Sequence, residues 1–258
     1  MSTVLETRNL TKSFGEVKAA KSLNVGIGKG EVVGVIGSNG AGKTTFINMV
    51  TGYLAPTEGD ILFDGQSVVG RLPRDITRLG MARSFQVAQL FPKFTVLDNV
   101  IAALVAAEGT KASFFGPFTT AARRKKAEAV LEEFGVANYS RSLVSTVPQG
   151  ARKLVDIAMA LISNPSMLLL DEPTSGVSIE EKFPLMDTVM NAVKKHGVTV
   201  LFVEHDMEIV ARYVSRILAF YSGEIISDGP PQEVLRDPKV QELVIGHHLD
   251  ISILGDAT

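Results

Sequence analysis

Nine residues with the sequence GSNGAGKTT, from Gly37 to Thr45, constrain the fold of this chain more than any other stretch. They include three glycines, one lysine and two threonines. Glycine is entropically costly to fix, so three glycines this close together indicate that backbone amides converge on something that a Cβ atom would block. The stretch fits the pattern G-x-x-x-x-G-K-[ST], in which the amides surround phosphate, the lysine reaches the β- and γ-phosphates, and the hydroxyl holds Mg²⁺.

The segments on either side of this loop support a phosphate site. Residues 32–36, VVGVI, predict a short buried strand, and residues 45–54, TFINMVTGYL, predict an amphipathic helix. A strand, a glycine loop and a helix N-terminus together form an anion site, because the free amides and the helix dipole point the same way. A flexible glycine turn is the alternative, but it requires neither the strand nor the helix. The sequence therefore predicts nucleotide binding.

Length, charge and cysteine content limit the other classes of protein. With 258 residues, of which 45% are hydrophobic, the chain can hold one large α/β domain or two small ones. Its net charge of −2 provides no overall field that would recruit nucleic acid. The lack of cysteine excludes disulfides and thiolate metal sites, and it fits a reducing compartment.

Two further features bear on membranes. We expect neither a secretion signal nor a membrane helix, because the N-terminus has no apolar segment and no apolar run approaches about 20 residues. A basic run at residues 123–126 would suit acidic lipid headgroups or a nucleic acid. The glutamates that follow it within one or two helical turns favour a solvated helix face instead.

The order of predicted elements gives the fold class. Residues 1–36 read as short strands joined by turns, and residues 58–66 read as a further hairpin. Helical patterns at residues 97–107 and 121–136 make the segment 96–150 an all-helical insertion. From residue 166 onward strands and helices alternate, which predicts an α/β fold with a mostly parallel sheet covered by helices.

Polar side chains follow three of the predicted strands. Asp171 and Glu172 come after residues 167–170, His205 after residues 198–203, and Gln86 after a shorter strand. Ligands of open parallel sheets bind beyond the carboxyl ends of the strands. The acids could simply cap the next helix, and the histidine could be structural.

Beside a phosphate loop these side chains have a chemical use. Asp171 and Gln86, with Thr44, supply the oxygen ligands that Mg²⁺ prefers. Glu172 is next to the metal ligand and could orient water toward the γ-phosphate, while His205 could hydrogen-bond that phosphate.

These residues, in this order, resemble the ATP-binding subunits of ABC transporters over nearly the whole chain. The resemblance implies a P-loop NTPase fold with an N-terminal antiparallel β subdomain and a helical subdomain, 96–150, where transport subunits dock. It makes Glu172 and His205 the catalytic base and the switch histidine, and Thr44, Gln86 and Asp171 the metal ligands. Phe14 would stack on adenine, with a core phenylalanine as the alternative. The implied nucleotide-binding residues are Phe14, Gly37, Ser38, Asn39, Gly40, Ala41, Gly42, Lys43, Thr44, Thr45, Gln149 and Gly150.

Two motifs depart from the family pattern. The family signature Leu-Ser-Gly-Gly-Gln is replaced here by VPQGA at residues 147–151, which keeps only Gly150 and has Pro148 in place of the serine. Ser178 stands where an aspartate is usual. Proline is tolerated at a first helical position, so the amides near Gly150 could still meet a phosphate. An apolar helix face supports that helix: Leu154, Val155, Ala158, Leu161 and Ile162.

Within the family, residues 80–104 and 229–246 are similar to the longer of the two ATPase subunits of branched-chain amino acid importers. This implies ATP and Mg²⁺ as cofactors and transmembrane permease subunits as partners. It also implies a second ATPase subunit, in a heterodimer or alternatively a homodimer, an indirect link to a periplasmic or extracellular solute-binding protein, and no nucleic acid. The location would be peripheral, at the cytoplasmic face of the inner membrane.

The expected organisation is a single domain, 1–258, with a nucleotide-binding core at 1–95 and 151–230 and a tail at 231–258. ATPases serving urea, amides, aromatic acids or lipopolysaccharide share some of these features. A soluble ABC-type ATPase of cofactor assembly also remains open, since such proteins have one short cassette. Intact Lys43, Asp171, Glu172 and His205 argue against a catalytically inactive partner.

Overall fold

The computed structural model describes residues 2–84, 88, 90–108 and 118–246. The described residues fall into two compact units, drawn from Met1–Met81 with Thr199–Thr258 and from Ala82–Val198. The strands, in chain order, are β1 (Thr3–Phe14), β2 (Val17–Gly28), β3 (Val32–Gly37), β4 (Glu58–Phe63), β5 (Gln66–Ser67), β6 (Met81–Ser84), β7 (Met167–Asp171), β8 (Thr199–Val203), β9 (Arg216–Tyr221) and β10 (Glu224–Gly229).

The helices alternate with these strands from β7 to β9, as the sequence predicts, and β10 then follows β9 directly as its antiparallel partner. In chain order the helices are α1 (Lys43–Val50), α2 (Pro73–Arg78), α3 (Val96–Glu108), α4 (Ala121–Glu133), α5 (Gln149–Leu161), α6 (Ile179–His196), α7 (Met207–Tyr213), α8 (Pro231–Val234) and α9 (Pro238–Val240). Short 3₁₀ helices lie at Ala137–Tyr139 and Val144–Thr146, and a π-helical turn follows α9 at Gln241–Ile245.

The first unit contains an antiparallel sheet with the strand order β2-β1-β4-β5. Leu23, Val25 and Ile27 of β2 are buried while Asn24 and Gly26 between them are exposed, so one face of the sheet packs on the core. β1 and β2 are each 12 residues long, which is longer than the short strands predicted. Irregularities in their register bend this long hairpin without ending it.

The parallel sheet of the first unit has β3 at its centre. The order β10-β9-β3-β8 places β3 between β8 and β9, and both pair with it in parallel. From Val33 to Gly37 every residue of β3 is buried, which is the pattern of a strand covered on both faces. β10 joins the edge as an antiparallel strand. The carboxyl ends of β3 and β8 therefore lie at one edge of this sheet.

Helix α1 starts two residues earlier and ends four residues earlier than the predicted helix at 45–54. Its start follows Gly42, which has a left-handed φ of 106°. Its end lies at Val50, and the hydroxyl of Thr51 donates to the carbonyl oxygen of Ile47, which satisfies one of the last helical acceptors.

In the second unit, α3, α4 and the two 3₁₀ helices account for the described part of the segment that the sequence predicts to be helical. Thr120 caps α4 by accepting from the amide of Arg123, and the Arg123 guanidinium lies 2.7 Å from Glu108. The remainder of the basic run, residues 124–126, is exposed, as a solvated helix face requires. β6, except for Met81, and β7 also belong to this unit, where they are neighbouring strands.

None of the helices in the described ranges combines the length and the apolar character that a membrane-spanning segment requires.

Candidate functional site

The loop between β3 and α1 packs so closely against neighbouring backbone segments that two of its glycines cannot carry a side chain. A Cβ atom on Gly37 would lie 2.6 Å from the carbonyl oxygen of Phe220. A Cβ atom on Gly42 would lie 2.5 Å from the carbonyl oxygen of Ala19, and its φ of 106° is one that other residues rarely adopt. The glycines therefore allow close contact between backbone segments, as their spacing in the sequence indicates.

Lys43 is buried inside this loop. Its side chain is only 6% exposed, and its ammonium donates to the carbonyl oxygens of Gly37 and Ser38, the latter at 3.1 Å. A lysine is rarely this buried unless its charge is compensated. The carbonyl groups hold the ammonium at the loop, where it can interact with an anion.

The N-terminus of α1 has the features of an anion site. Its N-cap, Gly42, has no side chain with which to accept the first helical amides, and the first turn reads Lys43, Thr44, Thr45, Phe46. α7 provides the contrast, since the Asp206 side chain accepts from the amides of Glu208 and Ile209. The dipole and the amides at the start of α1 therefore complement an external negative charge rather than an internal one. Ser38 and Thr45 are half-buried, Ala41 is buried, and Asn39, Gly40 and Thr44 are exposed.

His205 lies at the same edge of the sheet as the loop. β8 pairs with β3 up to Val203 and Val35, and the amide of Glu204 continues this pairing to the carbonyl of Val35 at 3.4 Å. The His205 side chain is exposed, and its backbone amide donates to the carboxylate of Glu204 at 3.0 Å. Glu204 is 4% exposed, so a buried carboxylate fixes the backbone that presents the imidazole.

Phe14 ends β1, next to the turn into β2. Its ring is 51% exposed, and the Lys12 ammonium lies 5.2 Å from the ring centroid. This exposure argues against the alternative that Phe14 is a core residue, and it leaves a flat apolar surface on which a base can stack.

In the second unit, Asp171 is the last residue of β7, which ends one residue later than the predicted strand, and Glu172 follows it. Basic side chains contact both residues. Nη2 of Arg83 donates to Oδ2 of Asp171 at 2.7 Å, and the two side chains are only 9% and 17% exposed. Nζ of Lys153 donates to the carbonyl oxygen of Glu172 at 3.2 Å. Glu172 has a φ of 50°, a left-handed conformation that is uncommon outside glycine and is concentrated at functional sites.

A buried hydrogen bond joins β6 to α5 near these residues. The hydroxyl of Ser84 donates to Asp156 at 2.7 Å, and the two side chains are 3% and 7% exposed. Lys153, one turn earlier in α5, is 1% exposed. α5 thus presents polar as well as apolar residues to the interior, whereas Leu154 and Ile162 of the predicted apolar face are only half-buried.

Pro148 is the N-cap of α5 rather than its first helical residue, so the helix begins at Gln149. A proline side chain cannot accept a hydrogen bond, and α5 therefore starts without a side-chain cap, like α1. Gln149 is exposed and lies beside Gly176, where its side-chain nitrogen is 3.1 Å from the position of a Cβ atom. Gly150 is half-buried.

The predicted site residues are thus distributed over both units. The glycine loop, Phe14 and His205 belong to the first, and Gln149, Gly150, Asp171 and Glu172 belong to the second. Gln86 lies outside the described residues. The sequence predictions placed Glu204 after the strand at residues 198–203 but gave it no role, and they missed Arg83 and Lys153, whose signals were weak because single charged residues usually lie on the surface.

The donor chemistry of the predicted metal ligands fits Mg²⁺. A threonine hydroxyl and an aspartate carboxylate are hard oxygen donors, and Mg²⁺ commonly takes one or two protein carboxylates with substrate phosphates. Within the described ranges, no three His, Cys, Asp or Glu side chains come together as a cluster that could hold a metal ion by themselves.

Comparisons with known proteins agree with these features. Residues 20–175 match the profile of the family described as ABC transporter. Among curated relatives, the probable branched-chain amino acid transport ATP-binding protein LivG of Archaeoglobus fulgidus is 34% identical, over 94% of this chain and 95% of its own length. The high-affinity branched-chain amino acid transport ATP-binding protein BraF of Pseudomonas aeruginosa is 33% identical, over 94% and 98%.

Solved structures are similar over the same extent. The ADP conformation of an ATP-binding cassette of an ABC transporter matches with a TM-score of 0.81 and 31% identity, over 94% of this chain and 98% of that one. A dimeric cassette in a post-hydrolysis state, bound to ADP and Pi, matches with a TM-score of 0.75 and 27% identity, over 88% and 98%. The expected P-loop NTPase fold is confirmed.

Proposed function

This chain belongs to the ABC transporter family of ATP-binding subunits, and from that premise we propose that it powers the import of branched-chain amino acids. As a member of this family it binds ATP and hydrolyses it in connection with transport. The solute is proposed from relatives named for branched-chain amino acid transport, which match 94% of the chain. Within the molecule, the observation that carries the proposal is Lys43, buried in a glycine loop at the start of α1.

In the proposed site, the first unit binds the nucleotide. The loop amides from Gly37 to Thr45 and the Lys43 ammonium bind the phosphates, since cation and dipole act on the same charge. The exposed ring of Phe14 stacks on adenine, and His205 hydrogen-bonds the γ-phosphate.

We assign the metal and the chemistry as follows. Thr44, Asp171 and Gln86 would hold Mg²⁺, which neutralises charge on the phosphates during transfer. Glu172 orients the attacking water and accepts its proton. Its left-handed backbone and the Lys153 hydrogen bond to its carbonyl oxygen fix the direction in which its side chain leaves the chain.

The proposed assembly contains more than this chain. Residues 1–258 act as one ATP-binding domain, in which the segment 96–150 docks on transmembrane permease subunits. A second ATPase subunit completes a dimer in which Gln149 and Gly150 meet the partner's ATP through the uncapped start of α5. A solute-binding protein delivers the amino acid from the other side, so this chain lies peripherally on the cytoplasmic face of the membrane.

The test is to purify the tagged chain from detergent-solubilised membranes of its own host and to reconstitute the co-purified complex in liposomes. We expect permease subunits and a second ATPase by mass spectrometry, and ATP-dependent uptake of labelled leucine, isoleucine and valine. If the complex took up only urea or an aromatic acid, that compound would replace branched-chain amino acids as the solute. Recovery with soluble enzymes only would favour cofactor assembly instead.

A further inference from the structure

The side chain proposed to bind the metal already has a cationic partner from its own chain. Arg83, in β6, donates to the carboxylate of Asp171 at 2.7 Å. Both residues belong to the second unit, and both side chains are largely buried, at 9% and 17% exposure. Solvent and salt screen the charges of such a buried pair poorly, so the attraction between them is stronger than in a surface ion pair.

An arginine so placed affects any cation that approaches the same carboxylate. The guanidinium is charged at every physiological pH, and it occupies one of the two oxygens that a metal could use. A divalent cation on Asp171 must therefore share the carboxylate with Arg83 or displace it, and the two positive charges repel each other at short range.

We propose that Arg83 is a positioning residue that holds the Asp171 carboxylate in place and weakens divalent-cation binding at the site. The inference rests on the proposed role of Asp171 as a metal ligand. Arg83 keeps the buried carboxylate paired before metal and nucleotide arrive, and metal binding loosens that pair. The affinity for the metal is therefore lower than Asp171 alone would give.

The backbone next to Arg83 is anchored, so its side chain can move when a metal binds Asp171. The next residue, Ser84, is fixed through its buried hydrogen bond to Asp156 in α5. The end of β6 is therefore held independently of Arg83, so a substitution at Arg83 removes the charge while the strand keeps an anchor.

The experiment measures ADP binding by calorimetry, once with excess Mn²⁺ and once with EDTA, on the full chain. The ratio of the two affinities reports the coupling between metal and nucleotide and requires no turnover. In Arg83→Met we expect this ratio to rise at least about tenfold, because a like charge near the metal is removed. The affinity in EDTA should not rise, because without metal the Asp171 carboxylate that has lost its guanidinium can only repel the phosphates.

Three matched variants and one variant at Asp171 complete the test. Arg83→Lys keeps the positive charge and should give a ratio near that of the wild type, while Arg83→Gln, a neutral polar variant, should repeat the rise seen with methionine. Arg78→Met, at an exposed arginine paired with Asp75, should change neither affinity. An Arg83→Met or Arg83→Gln protein that melts like the wild type but shows an unchanged or smaller ratio would overturn the inference. Asp171→Asn should abolish the gain from Mn²⁺, and if it does not, the metal assignment itself is wrong while nucleotide binding in EDTA still stands.

Discussion

At the scale of single residues, two lysines carry charges that are almost completely buried. Lys43 is 6% exposed and Lys153 is 1% exposed, and backbone carbonyl oxygens accept hydrogen bonds from both. A carbonyl satisfies the hydrogen-bonding requirement of an ammonium without neutralising its charge. The carbonyl oxygens of Gly37 and Ser38 hold the Lys43 ammonium at the loop, and Lys153 keeps the turn at Glu172 in place from within the same unit.

Replacing Lys43 tests the phosphate site. Lys43→Ala removes a buried cation whose attraction for phosphate is worth several kcal/mol, so ATP binding should become undetectable by calorimetry. Lys29→Ala, at an exposed lysine of the same unit, serves as the control and should bind ATP normally. Wild-type affinity in Lys43→Ala would contradict the assignment of the loop.

Replacing Glu172 separates binding from hydrolysis. Glu172→Gln keeps the shape of the side chain and removes the base, so ATP should bind without turnover and hold a long-lived dimer on size exclusion with Mg²⁺. The control is Glu180→Gln, on the exposed first turn of α6. Hydrolysis by Glu172→Gln at the wild-type rate would show that another group acts as the base.

Each site residue that we predicted from the sequence is marked by the residues immediately around it in the chain. The spacing of glycine and lysine predicts the loop at residues 37–45. The position of Asp171, Glu172 and His205 after apolar strands makes them candidate site residues. Arg83 and Lys153 could not be predicted in this way, because their partners are distant in sequence and are brought near only by tertiary packing. A charged residue next to another, such as Lys153 beside Arg152, reads as part of a solvated face.

At the scale of elements, a buried asparagine organises the start of the helical segment. Asn99 in α3 is fully buried, and its amide accepts from the backbone of Phe91 at 2.7 Å and donates to the carbonyl oxygen of Thr95 at 2.8 Å. Phe91 and Phe94, whose rings lie 5.5 Å apart, are left more than half exposed. The internal helix packing was predictable from periodicity, but this polar anchor was not, because asparagine usually lies on the surface.

The proposed docking of the segment 96–150 on membrane subunits is tested by reversing charges on its surface. The double variant Arg124→Glu, Lys125→Glu changes exposed residues of α4, so ATP affinity should stay within about twofold of the wild-type value. ATP-driven uptake by the reconstituted complex should be lost. Lys194→Glu, on an exposed position of α6, is the control and should transport normally. Equal loss of ATP binding and uptake in the double variant would make the segment a part of the fold only.

At the scale of the whole molecule, the two helix N-termini that face phosphate in the proposed dimer are not equivalent. α1 begins after Gly42 and presents Lys43 with two threonines, whereas α5 begins after Pro148, which offers neither a hydroxyl nor an N–H. In the proposed dimer each ATP would lie between the loop of one subunit and the α5 start of the other. A partner with an ordinary signature would therefore complete this chain's own site, while the partner's ATP would face Pro148 and Gln149. We expect a heterodimer in which the loop at residues 37–45 forms the faster site.

Restoring the hydroxyl tests this asymmetry. The lost charge-assisted hydrogen bond is worth about 1.5–3 kcal/mol, which is roughly a ten- to hundredfold difference in rate if it acts in the transition state. The purified chain alone, as a homodimer, should therefore hydrolyse ATP slowly, and Pro148→Ser should raise its turnover toward that range. Turnover per site is measured at saturating ATP and Mg²⁺, so that a change in affinity does not obscure a change in rate.

A serine at this position would also cap α5, because its hydroxyl oxygen can accept an amide of the first turn, and caps of this kind contribute about 1 kcal/mol to stability. Pro148→Ala is the matched control, since it removes the ring and restores the N–H without supplying a hydroxyl. A gain in turnover confined to the serine variant supports the missing phosphate bond. Equal gains in both variants would attribute the effect to the proline ring. A homodimer that is already fully active and gains nothing from serine would refute the asymmetry, because the amides near Gly150 and the dipole of α5 would then suffice for catalysis.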